Sequence, residues 1–211
     1  MVFRMLRMLK VVVGVSAIAA LAGCMHHYTG KLPSEIKAKA VIAGPGILGD
    51  AWLEQKYEGR VWIKMEVKGD PTSPLTPGLH AVHIHAVGDC GGTPPFSAAK
   101  GHYDGNVVPG ENDGDPSATP PVPAANVSPG LENHPYHLGD LQNMEVDADR
   151  VGTLYTITSR VTLTPGLTSL FDSDGSAFII HGLPDQYKAQ PPVANAPGGP
   201  RIACGVITLV P

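Results

Sequence analysis

Six of the nine histidines in this chain fall at spacings that suit a metal site. His83 and His85 form His-Xaa-His within GLHAVHIHAVGDC, and His102 follows in KGHYDG. His134, His137 and Asp140 lie together in NHPYHLGDLQN, and His181 ends the apolar run AFIIHG. Imidazole is the commonest metal ligand among side chains and suits zinc, copper, iron and nickel. On a strand, residues i and i+2 share a face, roughly 6–7 Å apart. His83 and His85 can therefore converge on one ion while Val82 and Ile84 turn to the core; the plainer reading is a polar pair on a solvated face. His80 is out of phase with that pair and reads as a buried, hydrogen-bonded histidine that supports the strand. In HLGD, Gly139 permits a sharp turn, and a histidine with a hard carboxylate suits zinc. His134 can join them. The alternative is a capped turn in which Asp140 accepts backbone N–H groups. His26 and His27 read as solvated tail residues.

The elements that must position these groups are strands. AVIAG, LGDAWLEQ, RVWIKMEV, LHAVHIHAV, TLYTITSRVTL, AFIIHG and RIACGVITLV are short and rich in Val, Ile, Thr and aromatic residues, with Gly and Pro between them. RVWIKMEV alternates: Val61, Ile63, Met65 and Val67 share one face, with Arg60, Lys64, Glu66 and Lys68 mostly opposite. No stretch has a convincing helical period. The pattern predicts an all-β fold, an antiparallel barrel or sandwich. Two long segments, 103–133 and 182–200, interrupt it. Loops of that length in a compact domain are usually functional or mobile. Both begin or end beside histidines, which favours function; the Pro-rich stretch 116–129 reads as mobile.

Residues 1–23 are set apart. Arg4, Arg7 and Lys10 precede VVVGVSAIAALAG, a short apolar run ending in small residues, as in a secretory signal peptide. Leu21-Ala22-Gly23-Cys24 resembles a bacterial lipobox, which would make Cys24 the first mature residue and the site of lipid attachment. An ordinary signal peptide or an N-terminal anchor helix is the alternative. Residues 24–36 read as a flexible tether and 37–211 as one domain. The leader holds three of the 15 basic residues and none of the 19 acids, so without it the formal charge falls from −4 to −7. So acidic a domain is a poor candidate for binding nucleic acid, whose phosphates need a basic face. With Cys24 assigned to lipid, Cys90 and Cys204 remain. In an oxidising compartment they should be bridged; otherwise they are two separate buried thiols.

Taken in order, these segments resemble the copper/zinc superoxide dismutases from about residue 38 to the C-terminus. GLHAVHIHAVGDC is similar to the family's Gly-Leu-His…His-Xaa-His strand with its following cysteine, and KGHYDG to its Gly-His-aromatic segment. HLGDL is similar to the zinc-loop turn, FIIHGLPDQY to the last copper histidine with its downstream aspartate, and PRIACGVI to the C-terminal strand. The resemblance implies a Greek-key β-barrel or sandwich of about eight antiparallel strands with two long functional loops. It implies copper on His83, His85, His102 and His181, with His102 bridging to zinc held by His137 and Asp140. His134 is the candidate for the remaining zinc histidine, although the family places that residue further upstream. Gly105 stands where the family has proline. Asp185 would tie a copper histidine to a zinc histidine, with His80 as a further supporting residue. Arg201 would draw in the anion, with Lys188 adding to the local field. Cys90 and Cys204 would be the family disulfide.

The implied reaction converts superoxide to oxygen and hydrogen peroxide. The alternatives are an envelope lipoprotein that holds or delivers copper with little turnover, and a copper-only dismutase lacking zinc. The implied setting is the cell envelope: an exported protein fastened to a membrane by its N-terminal lipid and facing the periplasm or the outside. The family includes monomers and dimers, so a homodimer is open.

Overall fold

The alternation read from RVWIKMEV is present in space. Val61, Ile63, Met65 and Val67 are buried, whereas Lys64, Glu66 and Lys68 are exposed. The same period of two organises the first three strands of the computed structural model, which describes residues 35–56, 59–105, 134–188 and 193–211. The leader 1–23, Cys24, His26, His27, the tether through residue 34 and the Pro-rich segment 106–132 lie outside the described residues.

Strands β1 (Glu35–Gly44), β2 (Ile47–Lys56) and β3 (Val61–Gly69) form an antiparallel meander. β1 begins two residues before the expected start of the domain at residue 37. Pro45 and Gly46 make the first turn, with Gly46 at φ 66°, a backbone conformation that favours glycine. β3 then pairs with β7 (Val151–Thr158), skipping three strands. The skipped strands are β4 (Gly78–His80), β5 (Val82–His85) and β6 (Met144–Val146). β4 pairs with β6, and β5 pairs with β8 (Ala177–His181). β8 pairs with β9 (Arg201–Val206), which meets β1 at Ala43 and Cys204, and β10 (Thr208–Leu209) also pairs with β1. The strand order is β4-β6-β7-β3-β2-β1-β9-β8-β5.

The two ends of this sheet belong to one piece of chain, since only Ala81 separates β4 from β5. Its N–H donates to Leu183 O at 2.9 Å, and its carbonyl accepts the His181 N–H at 2.9 Å. The sheet thus curls into a nearly closed all-β barrel, as the strand pattern predicts. LHAVHIHAV and RIACGVITLV are each one run broken into two strands, so the ten strands correspond to the seven runs and β6. β6 was not legible, because three residues are too few to show a period. TLYTITSRVTL does not run through: β7 stops at Thr158, whose Oγ1 accepts the Arg160 N–H at 3.1 Å and turns the chain out of the sheet.

The inner faces form a single apolar core that includes Ile42, Leu53, Ile63, Met65, Ile84, Met144 and Phe178. A fully buried side chain of this size contributes about 1.5–3 kcal/mol. A second, small cluster of Ala99, Ala177, Ile179 and Cys204 lies against Cys90 and Phe96. It fixes the segment after β5 to β8 and β9.

Candidate metal centre

β5 is buried on both faces, so its alternation separates core from site rather than core from solvent. Val82 and Ile84 join the core, while His83 and His85, both fully buried, face the loops. Across from them, His102 is bridged to His85 and Asp140 to His83 through backbone pairing. His181 arrives from the end of β8, where the register with β9 shifts. One nitrogen from each of His83, His85, His102 and His181 lies within 4.8 Å of the others. A second group, His83, His102, His134 and Asp140, meets the same limit. The His137 ring lies 5.2 Å from that of His102 and 6.3 Å from that of His134. His80 stands outside both groups. Its Nδ1 is 2.7 Å from His181 O and its Nε2 2.8 Å from Thr76 O, the supporting position expected from its phase.

The hydrogen bonds select which nitrogen each ring presents. His85 Nδ1 donates to Lys100 O at 2.8 Å, and His181 Nδ1 to Gly199 O at 3.0 Å. His83 uses the opposite nitrogen: Nε2 donates to Asp185 Oδ2 at 3.0 Å. Burial first, and the neighbouring His102 second, hold His83 and His85 neutral by pulling them well below the ordinary histidine value; the same two causes bring His181 down to about 3. A neutral ring with one nitrogen donating leaves a lone pair on the other. Those other atoms, His83 Nδ1, His85 Nε2 and His181 Nε2, are buried and lack a hydrogen-bond partner, as are His134 Nδ1 and both ring nitrogens of His137. An unsatisfied buried polar group costs about 1–3 kcal/mol. Six such nitrogens in one place fit a pair of cations, and the donor set of imidazoles plus one carboxylate fits copper and zinc.

Asp140 is the hub of the second group. Its Oδ1 lies 2.5 Å from His102 Nδ1 and 3.2 Å from His134 Nδ1, while Oδ2 lies 3.3 Å from His137 Nδ1. Oδ2 also accepts the His137 N–H at 3.0 Å, so the capped-turn reading and the ligand reading both describe this residue. Burial alone would raise the Asp140 carboxyl. The hydrogen bond with His102 and the close approach of the His134 and His137 rings overcome that and hold it well below the carboxylate range. Gly139 serves this turn differently from the sequence expectation. Its φ is not positive; instead a side chain there would meet Ile84 O at 2.2 Å, so glycine is needed for close approach to β5. Gly105, by contrast, has φ 72°, which proline cannot adopt and which accounts for the departure from the family pattern.

Asp185, on the segment after β8, joins the two groups. Oδ2 holds His83, and Oδ1 accepts from His134 Nε2 at 2.8 Å. Asn143 fixes this aspartate through its backbone, accepting the Asp185 N–H at 2.7 Å and donating to Asp185 O at 3.0 Å. Asp185→Ala is expected to weaken metal binding in both groups by about 10–100-fold. Competition against a chelator checks this for each metal separately. Loss confined to one metal would mean that Asp185 serves only one histidine.

Arg201, at the start of β9, donates from Nη1 to Phe96 O at 2.6 Å and from Nη2 to Lys100 O, the carbonyl that also holds His85. Its charge contributes to the lowering of both His85 and His181. Lys188 is exposed on the segment that carries Asp185. Cys90 and Cys204 form a disulfide, with Cα atoms 5.7 Å apart and a sequence separation of 114.

Arg160 was missed at the level of sequence. Where the chain leaves β7, its guanidinium donates to His137 O and, at 3.1 Å, to Asp140 O, tying the metal-loop turn to the barrel. Asn143 was missed as well. Neither lies at a ligand spacing, so only the fold brings them to the site.

The family model described as copper/zinc superoxide dismutase matches residues 47–207. A protein named superoxide dismutase [Cu-Zn] from Caulobacter vibrioides is 34% identical over 197 residues, covering 92% of this chain and 98% of that protein. Superoxide dismutase [Cu-Zn] 2 from Aquifex aeolicus is 33% identical over 190 residues, covering 89% of this chain and 95% of that one. Among solved structures, the crystal structure of the clock protein EA4 is similar in fold, with a TM-score of 0.59 at 22% identity, covering 88% of this chain and all of that one.

Proposed function

The chain belongs to the copper/zinc superoxide dismutase family, and on that premise we propose which of its residues carry the reaction. The protein is an oxidoreductase that uses copper and zinc to convert superoxide to oxygen and hydrogen peroxide. Bound copper supplies the one-electron exchange, which zinc, having no redox chemistry, does not.

His83 through Nδ1, His85 and His181 through Nε2, and His102 hold the copper. His102, His134, His137 and Asp140 hold the zinc. Six unpartnered imidazole nitrogens in one buried cluster carry this assignment. Asp185 and the carbonyls of Lys100 and Gly199 keep each copper ring in the required tautomer. His102 is the proton carrier. Asp140 stands at its Nδ1, the zinc side of the ring, so Nε2 would be the atom that takes up and gives back a proton. Arg201 binds the incoming anion beside His85; its fork of donors stays charged at every relevant pH. Because the domain is acidic overall, attraction must come from local charge of this kind.

Anchoring and export belong to the same proposal. The leader ends in a lipobox-like sequence before Cys24, and the Cys90–Cys204 bridge suits an oxidising compartment. The protein would then stand on an envelope membrane, facing the periplasm or the outside.

The test is superoxide consumption after loading with copper and zinc, with bound metals counted on the same sample. Fast, copper-dependent turnover with one copper and one zinc per chain is expected. Activity without retained zinc would remove His134 from the ligand set, and tight copper binding without turnover would make the protein a copper carrier. Arg201→Ala should keep both metals, turn over more slowly and respond less to ionic strength. An unchanged rate and salt slope would remove Arg201 from anion binding.

A further inference from the structure

The chain has two tryptophans, and both lie on the outer face of the sheet, away from the metal centre. Strand register lines up two cross-strand rows there. One runs Lys39, Trp52, Lys64 and Tyr155; the other runs Lys37, Glu54, Trp62 and Ile157. Trp52 is 51% exposed, Tyr155 64% and Ile157 47%. Lys56 and Arg60 sit over the Trp62 ring, 5.2 and 5.6 Å from its centroid. Five of the domain's eleven basic residues, Lys37, Lys39, Lys56, Arg60 and Lys64, thus gather on this face of an acidic protein. Among the described residues Glu35 and Glu54 pair with Lys37 at 3.2 Å and Lys56 at 3.1 Å, and Asp50 and Glu66 lie opposite each other in the next cross-strand row, beyond Trp52 and Lys64.

We propose that this face docks on an anionic lipid surface. Tryptophan and tyrosine with an apolar body and a polar tip, set among lysines and arginines, are the chemistry of the headgroup layer. The position fits as well. β1 enters the barrel at Glu35, opposite Lys56 at the edge of the patch. Cys24 is eleven residues upstream, a reach of at most about 40 Å. A domain so tethered stays within range of the bilayer, and two weak attachments together hold far better than one. A second copy of the chain is a poorer occupant, because a two-fold contact through this face would set its lysines against their own counterparts. The inference rests on the anchoring proposed above.

The experiment uses the exported chain with its own N-terminal modification. It is mixed with vesicles of phosphatidylcholine, with or without phosphatidylglycerol. Flotation reports anchoring. Acrylamide quenching of tryptophan reports this face alone, since no tryptophan lies elsewhere. Flotation with both vesicle types is expected, with quenching reduced several-fold and emission shifted to the blue only where phosphatidylglycerol is present. Flotation and protection on the anionic vesicles alone would support docking and refute the anchor. Flotation on both with fully quenchable tryptophans would overturn docking and leave the anchor standing; no flotation on either would overturn both. Protection by soluble cell-wall glycan without vesicles would replace the lipid by a sugar and overturn the proposal. Lys37→Glu with Lys64→Glu should restore quenching, by about fivefold in partitioning for each unit of charge removed, and leave the dismutase rate unchanged.

Discussion

Acid is expected to unfold the metal-free chain in a steep step that begins just below pH 6.5. Burial is the leading cause that lowers His83, His85, His102 and His181 in that chain, so all four are neutral when folded. The unfolded chain takes up their protons as the pH falls through the ordinary histidine value and the folded chain does not, so stability falls with pH. Each group contributes about 1.4 kcal/mol per pH unit. His83, His85 and His181 together approach about 4 kcal/mol per unit, and His102 adds to them in the same direction, against a typical total stability of about 5–15 kcal/mol. One or two pH units therefore decide the outcome. His134 acts in the opposite sense. Burial would lower it, but the carboxylates of Asp140 and Asp185 raise it to about 9. Its contribution is complete below pH 6.5 and is lost between there and pH 9. Asp140, held low, contributes above the ordinary carboxylate value and fails only in stronger acid. Stability of the chelated protein should thus peak near pH 6.5. Urea unfolding at pH 5, 6.5 and 9 reads this directly, and a flat profile or a maximum at pH 5 would refute the neutral cluster. Bound ions should protect the acid limb for as long as they remain bound.

Removing the disulfide is expected to have the next largest effect. Closing a loop of more than a hundred residues restricts the unfolded chain by about 4–5 kcal/mol. The double replacement Cys90→Ser with Cys204→Ser avoids leaving a reactive thiol and should lower the unfolding free energy by that order. A second loss is predicted in the folded protein. Cys90 helps to pin residues 86–101 to the barrel, and that segment supplies Phe96 O and Lys100 O to Arg201 and Lys100 O to His85. Conditions under which the variant remains folded should therefore still reveal weaker copper binding. Full copper affinity in a folded double variant would confine the bridge to stability.

The site was legible in the sequence where a short-range rule governs it. His-Xaa-His on a strand needs only the period of two, and the structure places His83 and His85 on the face that rule selects. The opposite phase of His80 was equally readable. His134 and His137 lie close in sequence to Asp140, so a single loop delivers all three. Arg160 and Asn143 were not legible, because their partners lie 20 or more residues away and are mostly backbone carbonyls, which any sequence provides. Strand ends failed for a related reason. Nothing in TLYTITSRVTL marks Thr158 as the last paired residue, since the stop is made by its own side chain bonding to Arg160. The patch around Trp52 and Trp62 requires the register of four strands, which alternation alone does not supply.

Among the described residues β5 has a neighbour strand on one side only. On its other side the Ile84 N–H donates to Gly139 O at 2.9 Å, and Ile84 O accepts the Tyr103 N–H at 2.8 Å. The segments that provide this cover are the ones that carry His102, His137 and Asp140. An uncovered strand is a template on which another chain can add. Demetallation would then do more than end turnover: by loosening the loop it would bare this edge of β5, so the ions would also serve as a lock against self-association.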